Sequence, residues 1–258
     1  MQQQFHIFLN SLMFYTRIPM LSWMKHDTKM LNKATIYFPI IGWIVGAIAA
    51  LVFYLTSLVF NNPEIPILLS MVASVLTTGA FHEDGFANFC NGFGSSREKE
   101  KILDIMNNSR MGTYGSVGLI LILGLKFFSL ESLDNQTLTC TLFIAHSLSR
   151  YVALSFIFTL DSVREDELNI AKPVAKKISL NDLLKAFIYA ILPLFIYVII
   201  TKNFFLLLVF PPLIIIQVYF RYYFKKRIGG YTADCLGATQ QVAEVIIYLV
   251  VVAISKDV

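Results

Sequence analysis

The chain has 258 residues, of which 56% are hydrophobic and 15% are charged, and its formal net charge is +4. Soluble domains have about 45–50% apolar and about 25% charged residues, so this composition excludes an ordinary soluble protein. The small net charge does not indicate a basic surface that binds nucleic acid, and we expect no nucleic-acid partner. Several apolar runs of bilayer length predict a single all-α domain over residues 1–258, a polytopic integral membrane protein.

The apolar runs predict about seven transmembrane helices after an N-terminal segment of another kind. Residues 5–23 are apolar but contain Asn10, Arg17 and Pro19, which favours an interfacial or re-entrant helix. The predicted spans cover about 35–60, 65–81, 114–130, 138–160, 183–200 and 204–224, and a last run that ends at Ile254. Polar segments at 82–110, 161–182 and 225–241 separate them.

Basic residues are concentrated on one side of this predicted topology. The N-terminal segment and the three polar segments carry most of the Lys and Arg residues, and the opposite side carries few. Because short loops rich in Lys and Arg stay in the cytoplasm, the three polar segments are predicted to be cytoplasmic. All candidate chemistry then faces one compartment.

The longest polar run, His82–Arg110, is the main candidate site. Asp84, Asn88 and Asn91 would fall within roughly 60° of one another on a helix, and this face could hold a hard cation or a phosphate. Mg²⁺ prefers one or two carboxylates together with water and phosphate oxygens, a minimum that Asp84 and Glu83 could meet. The alternative is a solvated, capped loop-helix between two spans, and composition alone favours it.

Further polar residues stand where a membrane protein tolerates few of them. Gly85 and Gly92 would allow close approach of the backbone to a ligand. Arg110, at a membrane entry, suits bidentate binding of phosphate, although a snorkelling interfacial arginine explains it equally well. His146 and Arg150 are four residues apart inside a span, and such groups usually face the protein interior or a wet cavity.

Two more carboxylates lie in and just after the last polar segment. Asp234 lies among glycines, and Glu244 follows at the start of the final span, where a carboxylate needs a partner. A divalent cation with a phosphorylated substrate fits the collection of carboxylates, Arg, Lys, His and Gly. No Walker loop, zinc tetrad or Ser/His/Asp elbow is present in the sequence.

Five blocks of the sequence resemble those of bacterial cobalamin synthase, in the same order: FHEDGFANFCNGFG, IMNNSRMGTYG, AHSLSR, AKPVAKK and GGYTADCLGATQQVAE. The N-terminal FYTRIP and the YFPIIGWIVG run fit as well, so the resemblance covers nearly the whole chain. It implies a Mg²⁺-dependent transferase in the bacterial inner membrane, with cytoplasmic active-site loops. This enzyme joins α-ribazole, or its 5′-phosphate, to adenosylcobinamide-GDP and releases GMP.

The resemblance also implies partners and site residues. The expected partners are these two small-molecule substrates and membrane lipid. The resemblance leaves open whether the chain forms a homo-oligomer. Residues with an implied catalytic role are His82, Asp84, Asp234 and Glu244. Residues with an implied role in binding substrate or phosphate are Gly85, Gly92, Arg110, His146, Arg150 and Lys172. Positions with an implied role in binding Mg²⁺ are Glu83, Asp84, Asn88 and Asn91.

Four positions depart from the family pattern: Ala233 stands where the C-terminal T-G-D block of the family has a glycine, and the other three positions carry amides. The first block of the family has aspartates at i, i+4 and i+7, whereas here only Asp84 remains and Asn88 and Asn91 follow it. Asn108 stands where the second block has an aspartate. An amide keeps the shape and an acceptor oxygen but loses the charge. We therefore expect weak metal affinity and low or absent turnover, with the fold intact.

Two other functions compete with this interpretation. A CDP-alcohol phosphotransferase-like membrane enzyme also uses spaced aspartates on a helix, but it needs D-G-x-x-A-R, and the run from Asp84 to Asn88 lacks the arginine. The non-enzyme alternative is a transporter, or a membrane protein that binds a corrinoid without turnover.

Overall fold

The structure is a computed structural model that describes residues 2–19, 31–108, 110–163, 175 and 177–255. The helices in these ranges are α1 Gln2–Tyr15, α2 Leu31–Ala34, α3 Phe38–Ser57, α4 Glu64–Thr78, α5 Phe81–Ser95, α6 Lys99–Asn107, α7 Thr113–Glu131, α8 Asn135–Thr159, α9 Leu180–Thr201, α10 Phe210–Ile228 and α11 Ala233–Ser255. Short 3-10 helices at Thr35–Tyr37 and Phe204–Val209 lead into α3 and α10. No β-strand forms within the described ranges, which confirms the all-α prediction.

Within the described residues, six segments are long and apolar enough to cross a membrane: Asn32–Ser57, Thr113–Glu131, Asn135–Thr159, Leu180–Thr201, Phe204–Ile228 and Ala233–Ser255. The number rises to seven if α4 and α5 count as one span, although an 88° bend separates them. The polytopic membrane architecture is therefore confirmed. The N-terminal helix α1 has 14 residues, about 21 Å, which is too short to span a bilayer.

The region around residues 65–110 differs from the sequence prediction. We expected one continuous span to about residue 81, but α4 ends at Thr78 and a separate helix, α5, begins at Phe81 and forms the first part of the polar stretch. Two consecutive residues in the left-handed region, Gly79 at φ +67° and Ala80 at φ +57°, make the bend. The backbone N–H of Arg17 donates to the Thr77 carbonyl at 2.7 Å beside it. The N-terminal segment therefore anchors the bend.

Helix α8 is the central helix of the bundle. In the most hydrophobic 18-residue stretch of α8, 78% of the residues are buried, whereas the corresponding share is 22–28% in α7, α9 and the span that contains α10. Helix α3 packs closely on α8 because Gly42 and Gly46 face its backbone, where a Cβ atom would collide. The outer faces of α7, α9 and α10 carry large exposed apolar side chains, as expected for surfaces that meet lipid.

The three polar segments meet at one end of the bundle. Tyr231 exchanges backbone hydrogen bonds with Asp161 and Val163, at 3.0 Å each. Arg227 donates to the Ser96 carbonyl at 2.6 Å and thereby connects α10 to the end of α5. This arrangement agrees with the charge distribution, which placed these segments on one side of the membrane.

Candidate active site

Two facing glycines let α5 and α11 pack antiparallel at close range. A Cβ atom on Gly85 would lie 3.2 Å from Gly237 Cα and 3.3 Å from Asp234 Cα. A Cβ atom on Gly92 would lie 2.6 Å from Met106 Cγ on α6. Protein therefore fills the space in front of Gly85 and Gly92. Both glycines lie at helix contacts in this structure, and their predicted role in the approach of a phosphate to the backbone stays a prediction.

The close packing brings two carboxylates to one amide. Asn88 Nδ2 donates to Asp84 Oδ2 at 3.1 Å and to Asp234 Oδ1 at 3.4 Å. Asp84 is exposed, whereas Asn88 and Asp234 are buried. We call Asp84, Asn88 and Asp234 the cleft. It lies at the end of the bundle where the polar segments meet, and it joins residues that are 146 positions apart.

Asn91 lies outside the cleft. Its Oδ1 accepts a hydrogen bond from the Gly115 N–H at 2.7 Å, and its Nδ2 donates to the Arg110 carbonyl at 3.3 Å. The oxygen that would bind a metal thus already binds the start of α7. Asn91 fixes the segment that carries Arg110, whose side chain is exposed at the same end of the protein.

Glu83 also points away from the cleft. Its Oε1 accepts a hydrogen bond from Gln241 Nε2 at 3.0 Å, and its Oε2 is buried without a hydrogen-bond partner among the described residues. No group of three or more His, Cys, Asp or Glu side chains suited to a metal occurs in the part of the chain that the structure describes. The four positions predicted from sequence to bind metal therefore do not come together as one set.

The cleft nevertheless meets the minimum that Mg²⁺ requires. Mg²⁺ binds through one or two carboxylates, with water and substrate phosphate oxygens completing the shell. Asp84 and Asp234 supply two carboxylates on either side of Asn88. Asn88 directs its NH₂ group at both of them, so it contributes a hydrogen-bond donor and not a third carboxylate. Lys172, the predicted phosphate-binding lysine, lies outside the described residues.

Glu244 is the centre of a separate network in the interior. Lys126 Nζ lies 2.8 Å from Glu244 Oε1, and Tyr248 donates to the same oxygen at 2.9 Å. Gln240 donates to Glu244 Oε2 at 2.6 Å, and His146 Nδ1 lies 3.5 Å from that oxygen. Glu244 thus has its partners inside the bundle and does not face the cleft. The sequence interpretation assigned Lys126 no role, although a lysine inside a predicted span was the available signal.

Arg150 belongs to the same interior region. It is 1% exposed, donates to the His146 carbonyl at 2.8 Å, and lies over the Phe38 ring at 5.6 Å from the centroid. The structure therefore places both His146 and Arg150 in the interior of the bundle. Their position confirms only that ionisable groups in a span face the protein interior.

Two glutamines connect this network to α5. Gln240 donates to Glu244, and Gln241 donates both to Gln240 Oε1 at 2.8 Å and to Glu83 at 3.0 Å. Glu83 immediately precedes Asp84 of the cleft. The buried charges therefore fix α5 and α11 relative to each other, one residue away from the exposed carboxylate.

His82 lies between aromatic rings. It is 3% exposed, and its ring centroid lies 5.7 Å from that of Phe38 and 5.3 Å from that of Phe81. It shares α5 with Asp84 but no hydrogen bond between the two is present in the described structure. Its surroundings are therefore apolar, and the catalytic role that the sequence implied for His82 stays a prediction.

Comparison with known proteins relates the sequence of this chain to one family. The cobalamin-5-phosphate synthase (CobS) family model matches residues 7–252. A Shewanella frigidimarina protein is 42% identical, over 98% of this chain and 96% of its own. Proteins of Shewanella piezotolerans (40%, over 99% and 98%) and Leptospira interrogans (41%, over 96% and 96%) are also similar. All three are named adenosylcobinamide-GDP ribazoletransferase. No solved structure matches the chain.

Proposed function

The chain belongs to the cobalamin-5-phosphate synthase family, and we propose that it is an adenosylcobinamide-GDP ribazoletransferase of the bacterial inner membrane. It joins α-ribazole, or its 5′-phosphate, to adenosylcobinamide-GDP and releases GMP. The observation that carries the proposal is the match over residues 7–252, because it includes α5, α11 and the cleft between them. The polar end of the bundle faces the cytoplasm, as the Lys and Arg distribution indicates.

The reaction breaks a phosphoanhydride bond and forms a phosphodiester. A ribose hydroxyl oxygen of α-ribazole forms a bond to the phosphorus attached to cobinamide, the bond between that phosphorus and the bridging oxygen of GMP breaks, and GMP leaves with the bridging oxygen. The hydroxyl proton passes to a carboxylate of the cleft. Negative charge develops on the phosphate oxygens, so a cation or guanidinium close to them lowers the barrier.

The described side chains divide these tasks. Asp84 and Asp234 would hold Mg²⁺, which when bound neutralises charge on the diphosphate. Arg110 lies exposed at the same end and binds phosphate oxygens with its planar guanidinium. Asn88 orients both carboxylates through its two hydrogen bonds. With two carboxylates and one amide, we expect weaker Mg²⁺ binding and slower turnover than in a cleft with three carboxylates.

The test is Mg²⁺-dependent GMP release by the purified protein in lipid nanodiscs. Asn88→Asp adds a third carboxylate between Asp84 and Asp234, so we expect faster GMP release at limiting Mg²⁺. Asn91→Asp alone should bring little gain, because that side chain is engaged with the start of α7. Asn88→Asp combined with Asn91→Asp restores the family pattern of the first block.

The matched control is Asn135→Asp, which makes the same chemical change at an exposed residue at the start of α8. Equally robust GMP release from the wild-type chain and the Asn88→Asp variants would contradict a metal-binding role for these positions. GMP release that stays absent in every variant, over the full range of Mg²⁺, would contradict the proposed function.

A further inference from the structure

A small cavity lies next to the cleft, between α1, α3, α5, α8 and α11. Its volume is about 30 Å³, and four aromatic side chains, Phe14, Tyr15, Phe38 and Phe81, form much of its wall. The Tyr15 and Phe38 ring centroids are 4.2 Å apart, and those of Phe14 and Phe81 are 6.0 Å apart. Such a wall offers ring faces and edges to a planar aromatic ligand.

One polar side chain on this wall has an atom without a partner. His82 borders the cavity, and its Nε2 has no hydrogen-bond partner among the described residues. The Tyr15 hydroxyl, by contrast, is hydrogen-bonded to Thr35. A buried polar atom without a partner costs free energy. A water molecule needs two to four polar partners, so a water here would be poorly held. An apolar ring that carries one nitrogen suits the cavity better.

The cavity is close enough to the cleft to hold one end of a substrate. Ala233 and Gly237 form part of its wall, and they flank Asp234 on α11. On α5, His82 is two residues before Asp84, about 3 Å along the helix axis, and the two side chains leave the helix on different faces. A ring bound in the cavity would therefore place a sugar attached to it near the two carboxylates.

We propose that this cavity binds the aromatic base of the ribazole substrate, with His82 Nε2–H donating a hydrogen bond to the base. The inference rests on the proposed function, since that function supplies a benzimidazole riboside as the ligand. One ring nitrogen of such a base carries the sugar, and the other is an acceptor that matches a single imidazole N–H. Phe14 and Phe81 are only half-buried, so rotation of these two rings widens the cavity to admit the base.

The experiment measures the affinity of the full-length protein for α-ribazole by isothermal titration calorimetry, without the second substrate. His82→Phe keeps a ring but removes the donor, and we expect affinity for α-ribazole to fall about tenfold. Affinity for adenosylcobinamide-GDP should change less than twofold. His82→Gln retains an N–H donor and should recover much of the affinity, which a purely structural role of the ring would not predict.

A second pair of variants tests the cavity by its volume. Ile157 lines the cavity, and Ile157→Phe fills it. We expect the affinity for α-ribazole, the riboside of 5,6-dimethylbenzimidazole, to fall at least tenfold. The affinity for the riboside of unmethylated benzimidazole should fall less. The matched control is Ile199→Phe, the same change at a side chain that is 59% exposed on the outer face of α9, and it should leave both affinities unchanged.

The results separate this inference from the proposed function. Unchanged α-ribazole affinity in both His82→Phe and Ile157→Phe overturns the inference, as does an equal loss of affinity for both substrates. No binding of α-ribazole to the wild-type chain overturns it too. Binding of α-ribazole that depends on His82, together with no GMP release from any variant, supports the cavity and contradicts the transferase. GMP release whose KM for α-ribazole is unchanged in His82→Phe supports the transferase and contradicts the assignment of the cavity to the base.

Discussion

The buried pair of Lys126 and Glu244 provides a test of how the interior is stabilised. The side chains are 6% and 3% exposed, and Nζ lies 2.8 Å from Oε1. Tyr248 and Gln240 donate hydrogen bonds to the carboxylate, and His146 Nδ1 lies 3.5 Å from its Oε2. Removal of one member of such a pair leaves an uncompensated buried charge and costs about 3–5 kcal/mol.

The expected losses differ between the two partners. Lys126→Met leaves Glu244 with its hydrogen bonds from Tyr248 and Gln240 and its contact with His146, so we expect a loss of about 3 kcal/mol in the free energy of unfolding. Glu244→Gln leaves the ammonium of Lys126 without its carboxylate, and we expect about 3–5 kcal/mol. The double variant carries neither charge. Its loss should be smaller than the sum of the single losses by about 2–3 kcal/mol, as for directly coupled groups.

The assay is reversible unfolding in mixed micelles of dodecyl maltoside and SDS, followed for the two single variants and the double variant. The control is Lys101→Met, which removes an i,i+3 pair with Glu98 at 3.0 Å in which both side chains are 66% exposed. That loss should stay below about 1 kcal/mol. Single losses of the buried pair no larger than this control, or additive losses in the double variant, would refute the reasoning.

The remaining predictions concern helix packing and capping. Gly42→Ala should lower the free energy of unfolding by about 1–3 kcal/mol, because its Cβ would collide with the His146 backbone; Gly124→Ala, where no atom lies within 4 Å, should raise it by up to about 1 kcal/mol. Equal effects in the same unfolding assay would contradict this contrast. Asp134→Ala should cost about 1 kcal/mol, because Asp134 caps α8. A hydrogen bond from the Thr137 side chain, with backbone N–H donors, lowers the pKa of Asp134. Its contribution is therefore full above about pH 4 and lost as the pH falls through the lowered pKa, a dependence that the variant should lack in unfolding titrations at several pH values.

The sequence was sufficient for the helical membrane architecture but not for the bend between α4 and α5. Apolar runs of bilayer length have few alternatives to helix in lipid, so the spans follow from composition. The bend depends on the left-handed conformation of Ala80 and on the contact of Arg17 with Thr77. Neither is visible in hydropathy, which continues without a break to residue 81.

The candidate site was predictable only within one helix. Helical spacing correctly brought Asp84 and Asn88 together, because residues four apart share a face. The contact of Asn88 with Asp234 depends on how α5 and α11 pack, and spacing along the chain contains no such information. Asn91 was expected on the same face, but the start of α7 engages both ends of its amide.

Glu244, His146 and Arg150 show why buried charge alone is a weak guide to catalysis. Ionisable groups in a span are costly, so the sequence favoured a functional role for each. In the structure these groups have partners inside the bundle: Glu244 forms an ion pair with Lys126, and Arg150 donates a hydrogen bond to the His146 carbonyl. A structural network and an active site produce the same sequence signal, and only the partners distinguish them.

The amide at position 88 has opposite consequences for the fold and for metal binding. Two carboxylates close to one another repel, and Asn88 offsets part of this repulsion by donating a hydrogen bond to each. An aspartate at the same position would remove both donors and add a third negative charge, so the cleft would then depend on a cation for its stability. Asn88 holds Asp84 and Asp234 together through these hydrogen bonds, and we expect a cation that binds both carboxylates to compete with them. We therefore expect the same side chain to account for both an intact fold and weak metal binding.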